Sequence, residues 1–132
     1  MVAFELRMLG FSVVLGLVHI IAAAHSASLQ RGYRWTASAR DQPVPPLLGT
    51  AGRLARALSN FSETFPLFAA LVLAVVMAGK SSQLSEWGAG LYLGARVLYL
   101  PLYAFGVPLI RSLAWNVAAF GITLLVFALL WG

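Results

Sequence analysis

The stretch from Gly52 to Pro66 reads GRLARALSNFSETFP, and it decides how the chain folds. Four strongly polar residues recur in it at steps of three, four and three positions: Arg53, Arg56, Asn60 and Glu63. On a helix that turns about 100° per residue, these steps keep all four side chains within a sector of roughly 80°. The residues from Leu67 to Ala78 that follow are almost wholly apolar. The pattern therefore predicts a helix that carries a polar face into a membrane, where ionisable groups are costly and are usually paired or functional.

The composition places the whole chain in the membrane class. Of its 132 residues, 61% are hydrophobic and only 10% are charged, whereas an ordinary soluble domain has about a quarter charged residues. A chain of this size cannot bury so much apolar surface in a core of its own. The chain has no cysteine, which excludes thiolate metal sites and a catalytic cysteine. Any thiol chemistry must therefore use a thiol that arrives with a substrate.

Hydropathy and turn residues predict an all-α membrane protein in which a single domain, residues 1–132, forms a four-helix transmembrane bundle. The apolar segments are long enough to cross about 30 Å of hydrocarbon. Prolines and glycines separate the first two segments, and Pro108 suits the first position of a helix. The predicted helices cover residues 4–27, 53–79, 84–105 and 108–131.

The charge distribution predicts the topology. The net charge of +5 comes almost entirely from arginine, and the first loop, Leu29–Gly52, holds Arg31, Arg34 and Arg40 against Asp41. An excess of positive charge marks the cytoplasmic side, so we expect both termini on the non-cytoplasmic side of a bacterial inner membrane. The arginines indicate an anionic small ligand rather than nucleic acid as partner. Topology alone also explains the loop arginines, although Arg31 lies near the end of the first helix and could reach inward.

Two further groups of polar residues follow in the second half. Tyr92, Arg96, Tyr99 and Tyr103 lie at steps of four, three and four, within roughly 60° of one another on a helix. They span about 16 Å of helix rise, which is too much for an aromatic belt at one membrane depth. Arg111 then falls in the first turn of the last helix, where unpaired N–H groups and the helix dipole favour an anion.

Two patterns resemble the signatures of the MAPEG family, the membrane-associated proteins of eicosanoid and glutathione metabolism. The first is Arg53-x-x-Arg56-Ala57-x-x-Asn60-x-x-Glu63-x-x-Pro66. The second is Ala95-Arg96-Val97-x-Tyr99-x-x-x-Tyr103, which Arg111-Ser112 follows. The resemblance covers residues 30–116 and implies a homotrimer that binds glutathione as cosubstrate between neighbouring subunits, near the cytoplasmic face.

The resemblance also implies roles for single residues. Arg111 matches the arginine that stabilises the glutathione thiolate in the catalysing members. The residues expected to bind or support glutathione are Arg31, Arg53, Arg56, Asn60, Glu63, Arg96, Tyr99 and Tyr103. The implied activity is that of a glutathione transferase or peroxidase acting on lipophilic electrophiles, which enter from the membrane lipid. No metal is expected.

Two other functions remain open from the residues. The chain could be a non-catalytic relative that binds lipid or a partner protein, with Arg56–Glu63 or Arg53–Glu63 ion pairs serving structure alone. It could also be a small four-helix exporter. An exporter is expected to place an acidic residue in the middle of the first helix, and Glu5 lies too close to its start.

Overall fold

The computed structural model describes all of residues 1–132 and consists of five α-helices with no β-strand. In chain order the helices are α1 (Phe4–Arg31), α2 (Tyr33–Ala37), α3 (Gly49–Met77), α4 (Gln83–Ala104) and α5 (Pro108–Trp131). The helix count exceeds the predicted four because the short α2 forms within the predicted first loop.

Three of the helices, α1, α3 and α5, are long and apolar enough to cross a membrane. The outer face of α1 supports this, because it exposes a continuous set of aliphatic side chains: Val13, Val14, Leu17, Val18, Ile20 and Ile21. The 22-residue α4 contains Glu86, Arg96 and three tyrosines, and length and composition do not identify it as a span. The chain is therefore an integral membrane protein with three apolar spans evident from length and hydropathy.

The ends of α1 and α3 lie outside the predicted bounds. α1 continues past residue 27 to Arg31 because the next residue that breaks it is Gly32, whose φ is +96°. α3 begins at Gly49, four residues before the predicted start, because Leu48 is the last residue in an extended conformation. Gly52 belongs to the first turn of α3, and a Cβ there would lie 2.8 Å from the Leu47 carbonyl oxygen. The missing side chain therefore lets the loop pass close to α3.

The next turn also shifts by one or two residues. α3 ends at Met77 rather than at residue 79, and Gly79 makes the turn with φ +68°. α4 begins at Gln83 and ends at Ala104, each one residue before the prediction. Its start is set by Ser82, whose side chain accepts a hydrogen bond from the Ser85 amide in a capping box.

The closest helix packing is between α4 and α5, and α1 packs mainly on α3. Gly88 and Gly121 face each other where α4 crosses α5, and a Cβ on Gly88 would lie 2.7 Å from the Gly121 carbonyl oxygen. Small residues allow this approach of two backbones in a membrane protein. The core lies between α3, α4 and α5, with Phe68 stacked on Tyr92 at 4.0 Å between ring centroids.

Polar contacts join the helices at the end of the bundle that holds the two termini. Glu5 at the start of α1 is buried and accepts a hydrogen bond from the Ser85 hydroxyl in the first turn of α4. Lys80 donates to the Leu129 carbonyl oxygen near the end of α5 at 2.7 Å. These contacts fix the helices at one end, while the residues predicted to bind a ligand lie toward the other.

Candidate functional site

The polar faces of α3 and α4 meet at Asn60 and Arg96. The Arg96 Nη1 atom donates a hydrogen bond to Asn60 Oδ1 at 2.7 Å, and the Arg96 side chain is fully buried. Its guanidinium lies 4.1 Å from the centroid of the Tyr99 ring and 5.4 Å from that of Phe61. The four-residue and three-residue steps of the two motifs thus bring one polar side chain of each helix into direct contact.

Arg56, Tyr103 and Arg111 form a second group, nearer the end of the bundle. The Arg56 Nε atom donates to the Tyr103 hydroxyl oxygen at 3.3 Å. The Arg111 guanidinium lies 4.6 Å from the Tyr103 ring centroid, a distance at which a cation is attracted to an aromatic face. Because Tyr103 accepts from Arg56, its own hydroxyl hydrogen remains available to a ligand. Three helices, α3, α4 and α5, therefore converge on Tyr103.

A cleft of about 390 Å³ opens between these groups. We call it the polar cleft, and its lining residues are Asn60, Tyr99, Tyr103, Arg111, Ser112, Trp115 and Asn116. No acidic residue lines it. Most of its lining side chains can donate hydrogen bonds, and one of them carries a fixed positive charge. The polar cleft is therefore suited to a small anionic ligand.

The start of α5 forms one wall of the polar cleft. Val107 precedes Pro108, which takes the first helical position, so that Arg111 and Ser112 fall in or next to the first turn. The free N–H groups of a helix start favour negative charge. The Ser112 hydroxyl donates to the Pro108 carbonyl, and the Asn116 amide donates to the Ser112 carbonyl at 2.9 Å. The Asn116 amide oxygen, by contrast, accepts no hydrogen bond from another residue of the chain.

Five predicted site residues do not line the polar cleft. Two of them, Arg56 and Arg96, contact residues that line it, and the other three lie elsewhere. Arg53 donates from Nε to the Ala104 carbonyl oxygen at 2.8 Å, which ties the start of α3 to the end of α4. Arg31 donates to the Pro45 carbonyl oxygen at 3.3 Å and lies 5.2 Å from the centroid of the Trp35 ring. Glu63 is exposed on α3.

The structure also bears on the ion pairs that a non-catalytic relative would use. The Arg53 side chain is hydrogen-bonded to Ala104 and Thr50, and Arg56 is hydrogen-bonded to Tyr103. Neither guanidinium donates to Glu63. Within the chain, Arg53 and Arg56 of α3 are therefore held by a carbonyl, a threonine and a tyrosine rather than by a carboxylate.

The site residues predicted from the sequence did not include three residues of the polar cleft, Ser112, Trp115 and Asn116. Arg111, Ser112, Trp115 and Asn116 lie at steps of one, three and one, which puts them on one face of a helix. That spacing is visible in the sequence, but an asparagine in the membrane carries no charge that singles it out. No group of three or more histidine, cysteine, aspartate or glutamate side chains is placed to hold a metal ion.

The fold and the polar cleft define an all-helical integral membrane protein with a basic, tyrosine-lined cleft. The sequence model of the MAPEG family matches residues 8–131, which is nearly the whole chain. The chain belongs to the MAPEG family, and it is thus a membrane protein of the glutathione and eicosanoid metabolism type. No curated protein matches it in sequence.

Proposed function

We propose that the protein is a glutathione-dependent transferase or peroxidase that acts on lipophilic electrophiles at the membrane. The observation that carries the proposal is the meeting of Asn60, Tyr103 and Arg111 at one cleft without an acidic side chain. Such a lining selects for an anion by hydrogen bonding and by charge. Family membership favours glutathione among the small anions that fit this description.

The chemistry of the donor set fits glutathione. The tripeptide has two carboxylates, one ammonium group and one thiol, and guanidinium groups bind carboxylates through two parallel hydrogen bonds. Arg111 lines the polar cleft, and Arg56 is held beside it by Tyr103. Small-molecule sites usually enclose about 300–1,000 Å³, and the polar cleft lies within this range. Tyr99 and Tyr103 would contact the tripeptide from α4.

Arg111 is the residue we assign to the chemical step. The thiol of glutathione supplies the nucleophile, and a thiol has an ordinary pKa of about 8.5. Arg111 and the free N–H groups at the start of α5 place positive charge at the cleft, which stabilises a thiolate. A shift of two pKa units corresponds to about 2.7 kcal/mol of anion stabilisation. The Tyr103 ring holds the Arg111 guanidinium at its face, and this limits the side-chain motion that would weaken the effect.

The remaining predicted residues would act across a homotrimer. Glu63 and Arg56 are exposed on α3, an apolar span, and charged groups that face lipid are costly. A neighbouring protomer would cover them, and Glu63 could then bind the ammonium group of glutathione. Arg31 would reach a neighbour's polar cleft from the loop. Arg53 would support the site by holding the end of α4.

The same proposal includes the membrane arrangement. α4 would be the fourth span, because it packs along α5 and hides its one arginine. The arginine-rich loop between α1 and α3 would lie in the cytoplasm, with both termini on the other side of a bacterial inner membrane. Trp115 gives the polar cleft an apolar wall that is 37% exposed. A lipophilic electrophile would approach the thiol past this wall.

The proposal is tested by glutathione titration of the purified protein in detergent, followed by the ultraviolet absorbance of the bound thiolate across pH. We expect saturable binding and a bound thiol whose pKa lies below the free value of about 8.5. Arg111→Ala should return the pKa toward that value, while Arg111→Lys should retain part of the shift. Arg34→Ala is the matched control, because it removes an exposed arginine outside the polar cleft. A wild-type protein that binds no glutathione would end the proposal.

A further inference from the structure

Arg96 is an arginine that cannot touch a ligand in the polar cleft. Its side chain is 0% exposed, and it is absent from the cleft lining. Its Nε and Nη2 atoms are buried without any hydrogen-bond partner, and its one side-chain hydrogen bond goes to Asn60. A buried cation with a single polar contact is energetically costly.

The contact fixes the orientation of the Asn60 side chain. A guanidinium group can only donate hydrogen bonds, so it requires the amide oxygen Oδ1 rather than the amide nitrogen. The 2.7 Å hydrogen bond from Arg96 meets this requirement. In the flipped orientation the two donors would face each other, and the loss of a charge-assisted hydrogen bond disfavours that state by about tenfold or more.

The orientation decides what Asn60 offers to the polar cleft. Asn60 lines the cleft, and its Oδ1 atom is held by Arg96. Its Nδ2 group is therefore the part left to interact with a ligand, and Nδ2 can only donate. A flipped amide would instead turn an acceptor oxygen toward an anion. The orientation of the Asn60 amide thus decides whether this residue strengthens or weakens the binding of an anion in the polar cleft.

We propose that Arg96 is a positioning residue that acts through Asn60: it holds the Asn60 amide so that its N–H groups donate to an anionic ligand in the polar cleft. This role rests on the proposed glutathione-binding function, and it differs from direct binding of glutathione by Arg96. The Tyr99 and Phe61 rings hold the guanidinium in place by their faces. The faces of these rings are not strong hydrogen-bond acceptors. Asn60 Oδ1 is therefore the one strong acceptor that the Arg96 guanidinium contacts.

The test is a double-mutant cycle measured as glutathione affinity by titration calorimetry on the purified full-length protein. Arg96→Met should weaken binding about tenfold, the effect expected when one hydrogen bond to a charged ligand is lost. In an Asn60→Ala background the same Arg96→Met change should have almost no further effect on affinity. Arg96→Lys, which keeps a donor near Asn60, should recover part of the loss.

Asn60→Asp distinguishes a positioning role of Arg96 from a purely structural one. This test does not require an Arg96 variant to fold. The aspartate keeps the size of the side chain and pairs with Arg96, so the melting temperature should stay the same or rise. Glutathione affinity should fall about tenfold or more, because the residue can no longer donate to the ligand and adds negative charge. Asn116→Asp is the control for added negative charge alone, since Asn116 also lines the polar cleft. It should weaken binding less than Asn60→Asp.

Two results would overturn the inference while the proposed function stands. The first is wild-type glutathione binding that Asn60→Asp leaves within twofold. The second is an Arg96→Met effect of the same size with and without Asn60. A wild-type protein that binds no glutathione would instead overturn the proposed function, and the positioning role with it.

Discussion

The crossing of α4 and α5 gives a sharp test of the fold, because two glycines on one helix should respond in opposite ways to the same substitution. A Cβ on Gly88 would lie 2.7 Å from the Gly121 carbonyl oxygen and 3.1 Å from Leu125 Cγ. Cβ contacts shorter than 3.0 Å essentially do not occur in proteins, so the 2.7 Å approach would require the two helices to shift. A Cβ on Gly94, also on α4, would meet nothing within 4 Å. The two glycines therefore lie on the same helix and would undergo the same substitution, but only Gly94 has space for an added methyl group.

The magnitudes follow from these contacts. Gly88→Ala forces two backbones apart, and overpacking of this kind costs about 3 kcal/mol at the upper end of its usual range. Alanine recovers about 1 kcal/mol through its higher helix propensity, which leaves a net loss of about 2 kcal/mol in the free energy of unfolding. Gly94→Ala has the same gain in helix propensity and no steric clash, so the free energy of unfolding should rise by up to about 1 kcal/mol.

The assay is reversible unfolding in mixed micelles, followed by helix content, for wild type and both variants. The expected difference between the two alanine variants is about 3 kcal/mol, the sum of the two effects. Equal stability of Gly88→Ala and Gly94→Ala would refute the argument, since it would mean that α4 and α5 do not cross at Gly88 and Gly121. The alignment of Tyr103 with Arg111 depends on the same pair of helices, so such a result would also remove the geometric basis of the polar cleft.

Three further substitutions test other contacts. Arg53→Ala should lower the free energy of unfolding by about 1.5 kcal/mol, since it removes a charge-assisted hydrogen bond to Ala104; an unchanged unfolding curve would contradict this. Phe68→Ala should cost about 3–5 kcal/mol, because the ring is fully buried, and a smaller loss in thermal unfolding would mean that the core is looser than described. Glu5→Ala should cost about 1 kcal/mol, because it removes the hydrogen bond between the starts of α1 and α4 while the Ser85 hydroxyl keeps the Ser82 carbonyl oxygen as acceptor; an unchanged midpoint in denaturant titration would contradict this.

Much of the polar site could be predicted from spacing within single helices. The steps that link Arg56 to Asn60 and Tyr99 to Tyr103 put each pair on one helix face, and that follows from helix geometry alone. Helix ends were less predictable. α1 runs to Arg31, four residues past its predicted end at residue 27, and Gly32 makes the turn that stops it. Several residues near the end of a helix can terminate it, and the sequence does not show which of them does.

The sequence did not allow us to predict which polar residues line the cleft and which ones support it from behind. Arg53 and Arg56 belong to the same polar face, but the first bonds to a helix end while the second bonds to Tyr103. Arg96 also shares a stripe with Tyr99, yet it is buried behind Asn60. These differences depend on which neighbour lies opposite each side chain, and no spacing within one helix contains that information.

The sequence by itself determined the membrane class, the helical periodicity and the family, because composition and spacing within a helix are properties of the chain alone. The tertiary structure decided which of the arginines lie at the polar cleft and which way the Asn60 amide points. The physical reason is that contacts between helices depend on their rotation and depth relative to one another. Both are set by packing across the whole bundle, down to the meeting of Gly88 and Gly121.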